Sequence, residues 1–120
     1  MDLEILRNYC SRKKGVTEDF PFNDVTMVIK VGSKMFVLIS LNEQPLRINL
    51  KCDPFAAEQL RQMYPSVLPG YYMDKRHWNT IILDGTIPDK IIFRMIDDSY
   101  ELVFAKLRKK EKEVIKKSRD

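Results

Sequence analysis

The sequence predicts an α+β domain, a two-layer sandwich in the order α-β-β-β-α-β-β-α, with an antiparallel sheet and its helices on one face. Three observations carry this. Segments of two-residue periodicity separated by short turns run from Val25 to Lys51, the mark of an antiparallel sheet with one wet face. Segments of helical periodicity stand at the N-terminus, after Asp53 and after Pro88, and helices gathered on one face of such a sheet are the economical packing. A chain of 120 residues, 44% hydrophobic and 32% charged, suits a single core that needs neither disulfides nor metal.

Asp2 to Arg12 places Leu3, Leu6 and Cys10 on one helical face, with Ile5 and Tyr9 beside them. Asp2 can cap this helix and Gly15 stops it, after Lys13 and Lys14, which suit the negative end of the dipole. The stretch Val16 to Asp24 is acidic and aromatic (Glu18, Asp19, Phe20, Pro21, Phe22) and is expected as a loop covering a sheet edge. Val25 to Val31 is β-branched and ends at Gly32-Ser33, a pair that favours a tight hairpin. Lys34 to Leu41 returns, with Met35, Val37, Ile39 and Leu41 on one side and Phe36 and Leu38 on the other. Leu46 to Lys51 then alternates, Leu46, Ile48 and Leu50 inward and Arg47, Asn49 and Lys51 outward.

Asp53-Pro54 reads as a cap followed by proline in the first helical turn. That helix carries Ala56, Leu60, Met63 and Tyr64 on one face and halts at Pro65. A short strand is expected around Tyr71 to Met73 and another from Trp78 to Leu83, closed by an Asp84-Gly85 turn. Thr86, three residues before Asp89, reads as a capping box. The last helix begins near Pro88 with Ile92, Met95, Ile96, Ser99, Leu102 and Val103 as its stripe and Phe93, Tyr100, Phe104 and Leu107 widening it. A single domain is thus expected over residues 1–107, and 108–120 as a basic helical extension or tail that protrudes or frays.

The net charge of +4 is local. Residues 101–120 hold eight Lys/Arg against four acids, whereas the first hundred residues hold thirteen of each sign. No apolar run approaches the ~20 residues that span a bilayer, and the N-terminus lacks the basic-then-apolar order of a signal peptide; a cytoplasmic protein without membrane contact is expected. Cys10 and Cys52 are too few for a disulfide framework and are expected as buried thiols. A metal site would need both, the single His77 and a carboxylate to converge; no metal or cofactor is expected. Asp97 and Asp98, adjacent on a helix, do not face each other as an acid/base pair would, and no nucleophile set or phosphate loop is present. No enzyme is expected.

The central stretch resembles the MmcQ/YjbR family of small bacterial proteins. The likeness is carried by Asp74-Lys75-Arg76-His77-Trp78-Asn79-Thr80, Leu83-Asp84-Gly85, Pro88-Asp89 and Ile96-Asp97-Asp98-Ser99-Tyr100 with Leu102-Val103, and also by Tyr9-Cys10 and Lys14-Gly15. It covers about residues 1–107; Asp74 stands where Asn is the commoner residue and adds an acid beside the basic pair. The resemblance implies a topology similar to type III secretion chaperones and to the double-wing DNA-binding domain of the phage factor MotA. It also implies the DNA-binding label that family members carry, which rests on fold similarity.

Two functional readings follow. A sequence-tolerant nucleic-acid binder would use Lys30, Arg47 and Lys51 on the open sheet face, Lys75 and Arg76 at the nearby turn, and His77 or Trp78 to stack on bases, with the basic tail neutralising phosphates. The structural counter-reading makes Trp78 a core anchor, His77 a turn-holding residue and the tail a solvated helix end. A protein- or peptide-binding module would instead use an exposed sheet face, an edge strand or the Phe20-Pro21-Phe22 loop. A monomer is expected, because three helices over one sheet face leave no obvious apolar surface.

Overall fold

Asp2 starts the first helix: its carboxylate accepts the Ile5 amide at 2.9 Å, and α1 (Leu3–Ser11) buries Leu6 and Cys10. Further elements follow in this computed structural model, which describes residues 1–70 and 73–117. They are β1 (Val16–Asp19), β2 (Thr26–Val31), β3 (Lys34–Ser40), β4 (Arg47–Lys51), α2 (Pro54–Met63), β5 (Val67–Pro69), β6 (Trp78–Ile82), α3 (Asp89–Ala105) and α4 (Lys109–Lys117). The strands form one antiparallel sheet in the order β1-β2-β3-β4-β6-β5. The α+β class and the one-sided packing of helices are as the sequence predicts; the element order is longer.

The extra strand is β1. The expected edge loop is itself the edge, pairing Val16 with Val31 through Asp19 with Val28. Its acids hid it, since Asp and Glu are depleted in strands, yet charges on an edge discourage pairing with other chains. Glu18 also ties the edge to α1 through Arg7 at 2.8 Å. Of the strand expected around Tyr71 to Met73, Tyr71 and Tyr72 lie outside the described residues and Met73 is in no strand; the strand paired to β6 is Val67–Pro69. Pro69 is tolerable there because an edge strand leaves one row of backbone groups unpaired.

Two local readings are corrected. Lys34 to Leu41 does not alternate cleanly: the register skips Phe36, with Ile29 opposite Val37 and Lys30 opposite Met35. This bulge sends Phe36 into the main core beside Val37 and Ile39, while Leu38 joins a cluster on the other face. The capping box does not form, since Pro88 is the N-cap of α3 and gives no side-chain bond. Thr86 instead bonds Asp84 at 2.6 Å and Ser66 at 2.7 Å, which closes the Asp84-Gly85 turn.

The main core lies between the sheet and α1 and α3. Ile29, Phe36, Ile39, Ile48 and Ile96 are fully buried in it. On α3 the buried stripe includes Tyr100, whose ring meets Phe36 edge-on at 5.3 Å; Leu102, expected on that stripe, is 36% exposed. Ser99 stitches the layers. Its hydroxyl donates to the Phe36 carbonyl at 2.6 Å and accepts the Lys51 amide at 2.9 Å.

Where it is described, to Lys117, the segment after Leu107 packs back onto the domain. Ile115 of α4 is part of the main core and seats against two glycines with positive φ, Gly15 and Gly32. A Cβ on Gly15 would lie 2.8 Å from Ile115 Cγ1, so only glycine leaves the niche open. Glu111 fixes the same helix by accepting the Ser33 amide at 3.0 Å.

Candidate nucleic-acid interface

Strand alternation decides which candidates share a face. The register sets Lys30 opposite Met35, Arg47 opposite Ser40 and Lys51 opposite Trp78. Ile29, Ile48, Leu50 and Ile81 point to the helices, so Lys30, Arg47, Lys51 and Trp78 occupy the other side. The structure therefore brings these four onto the helix-free face. Two of the cations have acids close by: Lys30 Nζ is 3.4 Å from Asp19, and Arg47 Nε is 4.0 Å from Glu43.

Trp78 is only 8% exposed. It joins Val28 and Leu38 in a second, smaller core on this face, with Met35 and Met73 packed against it. The indole shares the patch with the cations but lies within it rather than on top.

The turn before β6 is built around Asp74. Its carboxylate accepts the Arg76 amide at 3.0 Å and lies 2.7 Å from His77 Nδ1, and its carbonyl accepts the His77 and Trp78 amides. The Arg76 amide bond and then the His77 contact hold the Asp74 carboxyl below its usual range. His77 thus has a structural partner, while its side chain remains 41% exposed.

The sequence reading missed how α2 completes this corner. Arg61 reaches from α2 to the Lys75 carbonyl at 3.0 Å and to Asn79 Oδ1 at 3.2 Å, fastening the basic turn to the helix. Phe55, in the first turn of α2, is 69% exposed and lines one groove with Arg61, Lys75 and Arg76. Its position off the stripe of Ala56, Leu60 and Met63 was the available signal, because an aromatic on the polar face of an amphipathic helix has no core to fill.

A different opening lies on the helix side. α2 buries only Ala57, and a cleft of ≈ 250 Å³ between α2 and α3 is lined by Leu60, Met63, Ile81, Ile91, Arg94 and Met95. With Met63 65% exposed, the expectation that no apolar surface would be left over does not hold. Among the described residues no group of three or more His, Cys, Asp or Glu is placed to hold a metal, and no helix is long and apolar enough to cross a membrane. Burial pushes the Cys10 thiol up to about 12 and raises Cys52.

Known proteins place this arrangement. The uncharacterised protein YjbR of Escherichia coli K12 is 34% identical over 101 residues, covering 84% of this chain and 86% of that one. The uncharacterised protein YbdF of Escherichia coli O157:H7 is 35% identical over 97 residues, covering 81% and 80%. The crystal structure of Deinococcus radiodurans protein DR2400, described by its domain DUF419, matches at TM-score 0.89 and 39% identity, over 95% of this chain and 87% of that chain. A Pseudomonas syringae protein matches at TM-score 0.73 and 26% identity, over 86% and 99%. The YjbR family model matches residues 11–102, and with these relatives it shows that the chain belongs to the YjbR family.

Proposed function

We propose that this protein is a non-enzymatic DNA-binding protein of its family, working through basic and aromatic surface residues. The single observation that carries the reading is the groove in which the exposed Phe55 ring stands beside Arg61, Lys75 and Arg76. Lys75 and Arg76 supply charge for phosphates and Phe55 and His77 supply faces for bases, a combination that suits sequence-tolerant recognition. Lys30, Arg47 and Lys51 extend the charge across the open sheet face. Trp78, largely covered, serves as the anchor that keeps β6 and its basic turn in place.

The test is a fluorescence-anisotropy titration of short single- and double-stranded DNA at ~50 and ~200 mM salt, where charge-driven binding changes steeply. Phe55→Ala should weaken binding by ~1–3 kcal/mol if the ring stacks. Lys75→Ala with Arg76→Ala should flatten the log–log salt slope by about 1.8 if each contacts one phosphate. Absence of any salt-sensitive binding by the unaltered chain sinks the proposal.

The cleft between α2 and α3 favours a second reading, a protein- or peptide-binding module, because apolar side chains from two helices line it. Met63→Glu would then abolish capture of a co-purifying partner and leave DNA titrations unchanged.

A further inference from the structure

We propose that α4 is a separate phosphate-contact surface for duplex DNA, an inference that rests on the DNA-binding reading above. α4 carries five lysines against Glu111 and Glu113, within the last twenty residues, which hold the whole net charge of +4. None of those five lysines makes an ion pair among the described residues. Glu111 is turned inward: its oxygens accept the Ser33 amide at 3.0 Å and the Arg108 amide at 3.4 Å. The Ser33 side chain first, then the Arg108 and Ser33 amides, hold its carboxyl below the usual range. On the open sheet face, by contrast, Lys30 and Arg47 have Asp19 and Glu43 alongside.

Docking makes this charge a surface rather than a tail. With Ile115 fixed in the Gly15–Gly32 niche, the helical period of 100° per residue turns Lys109, Lys110, Lys116 and Lys117 outward around Glu113. The two lysine pairs stand about 10 Å apart along the axis, a distance over which a duplex presents about six phosphates. Lys14 adds to them, lining one groove with Lys116, Phe104 and Ile115, with Glu101 as the groove's acid. This surface meets the sheet at the Gly32–Ser33 turn, whereas the Phe55 groove flanks β6, with β4 between β3 and β6 in the sheet. The two can be altered independently.

The experiment titrates a fluorescent 20-base-pair duplex with three proteins at ~50 and ~200 mM salt. These are the full chain, its Lys109→Gln/Lys110→Gln/Lys116→Gln/Lys117→Gln variant, and its Phe55→Ala/Lys75→Ala/Arg76→Ala variant. Urea melts confirm that each is folded; the lysine variant keeps Ile115 and Glu111. We expect the lysine variant to bind at least tenfold more weakly at low salt, with a salt slope flatter by up to about 3.6. Unchanged affinity and slope in that variant overturn the α4 surface and leave the Phe55 groove standing. Loss in that variant with none in the groove variant supports α4 and removes the groove. No binding by the full chain overturns both.

Discussion

Removing one oxygen atom, by Ser99→Ala, should destabilise this fold by about 2–4 kcal/mol. Ser99 is fully buried, and its hydroxyl serves two backbone groups at once, accepting the Lys51 amide of β4 and donating to the Phe36 carbonyl of β3. Alanine fills nearly the same space but leaves both groups without that partner. Each buried, unsatisfied group costs about 1–3 kcal/mol. Alanine's better helix propensity returns about 0.5 kcal/mol, and water reaching the part-buried Lys51 amide trims the loss further. Against a total stability of roughly 6–18 kcal/mol for 120 residues, this is a large fraction. Urea unfolding followed by the fluorescence of Trp78 should show the midpoint falling by about 1–2 M with the slope unchanged. A variant within 0.5 kcal/mol of the unaltered protein would refute the claim that this hydroxyl joins the two layers.

Other expectations follow from the same geometry. Ile115→Ala should cost about 2–3 kcal/mol, since it empties a buried site; a melt unchanged from the parent would mean α4 is not docked. Gly15→Ala should be destabilising by at least 1–2 kcal/mol from its φ of +75°, and a double-mutant cycle with Ile115→Ala should recover the crowding part; strict additivity would deny the contact. Hydrogen bonds from the Thr86 and Ser66 hydroxyls hold Asp84 at about 2. Because that folded value lies below the unfolded one near ~3.9, its contribution is complete above about pH 4 and is lost as the pH falls towards 2. Thr86→Val should move the Asp84 carboxyl upward in an NMR titration, and a value that stays put argues against the bond. A disulfide reagent at pH 8 should label folded Cys10 far more slowly than the unfolded chain, because burial disfavours its thiolate; rapid labelling would contradict the packing of α1.

The parts of the fold legible in the sequence are those where local chemistry and tertiary context agree. Asp2 and Asp53 cap helices as their positions dictate, and Leu46 to Lys51 alternates because one face of its strand packs into the main core and the other is open. What was illegible depended on distant residues. β1 is a strand because β2 offers its edge, against the preference of Glu18 and Asp19. The Phe36 bulge is invisible to a two-residue period, since a single extra residue reverses the faces. Ile115 reads as part of a lysine-rich run until Gly15 and Gly32, which no local sequence window shares with it, are seen to form its niche. Among the candidate site residues, alternation alone places Lys30, Arg47 and Lys51 together. The covering of Trp78 by Val28 and Leu38 is a product of packing, which one strand cannot reveal, whereas the exposure of Phe55 was legible from its place off the apolar stripe of α2.

The residues that carry the family likeness have structural employment in this molecule. His77 lies against Asp74, Asp84 gathers Ser66 and Thr86, Ser99 joins α3 to the sheet, and the Tyr100 hydroxyl donates to the Lys14 carbonyl at 2.6 Å. Trp78 fills the smaller core. A likeness written in such residues specifies a scaffold, and a scaffold does not fix what its surface binds. The groove of Phe55, Arg61, Lys75 and Arg76 belongs partly to that scaffold, since Lys75 and Arg76 sit in the turn that Asp74 builds. α4 stands outside the residues that the family model matches, which end at 102, while α4 begins at Lys109; the Deinococcus radiodurans fold nevertheless aligns over 95% of this chain. If the lysines of α4 dominate binding, DNA affinity rests on surface residues outside those that carry the likeness; if the Phe55 groove dominates, it is a property of the turn that carries it.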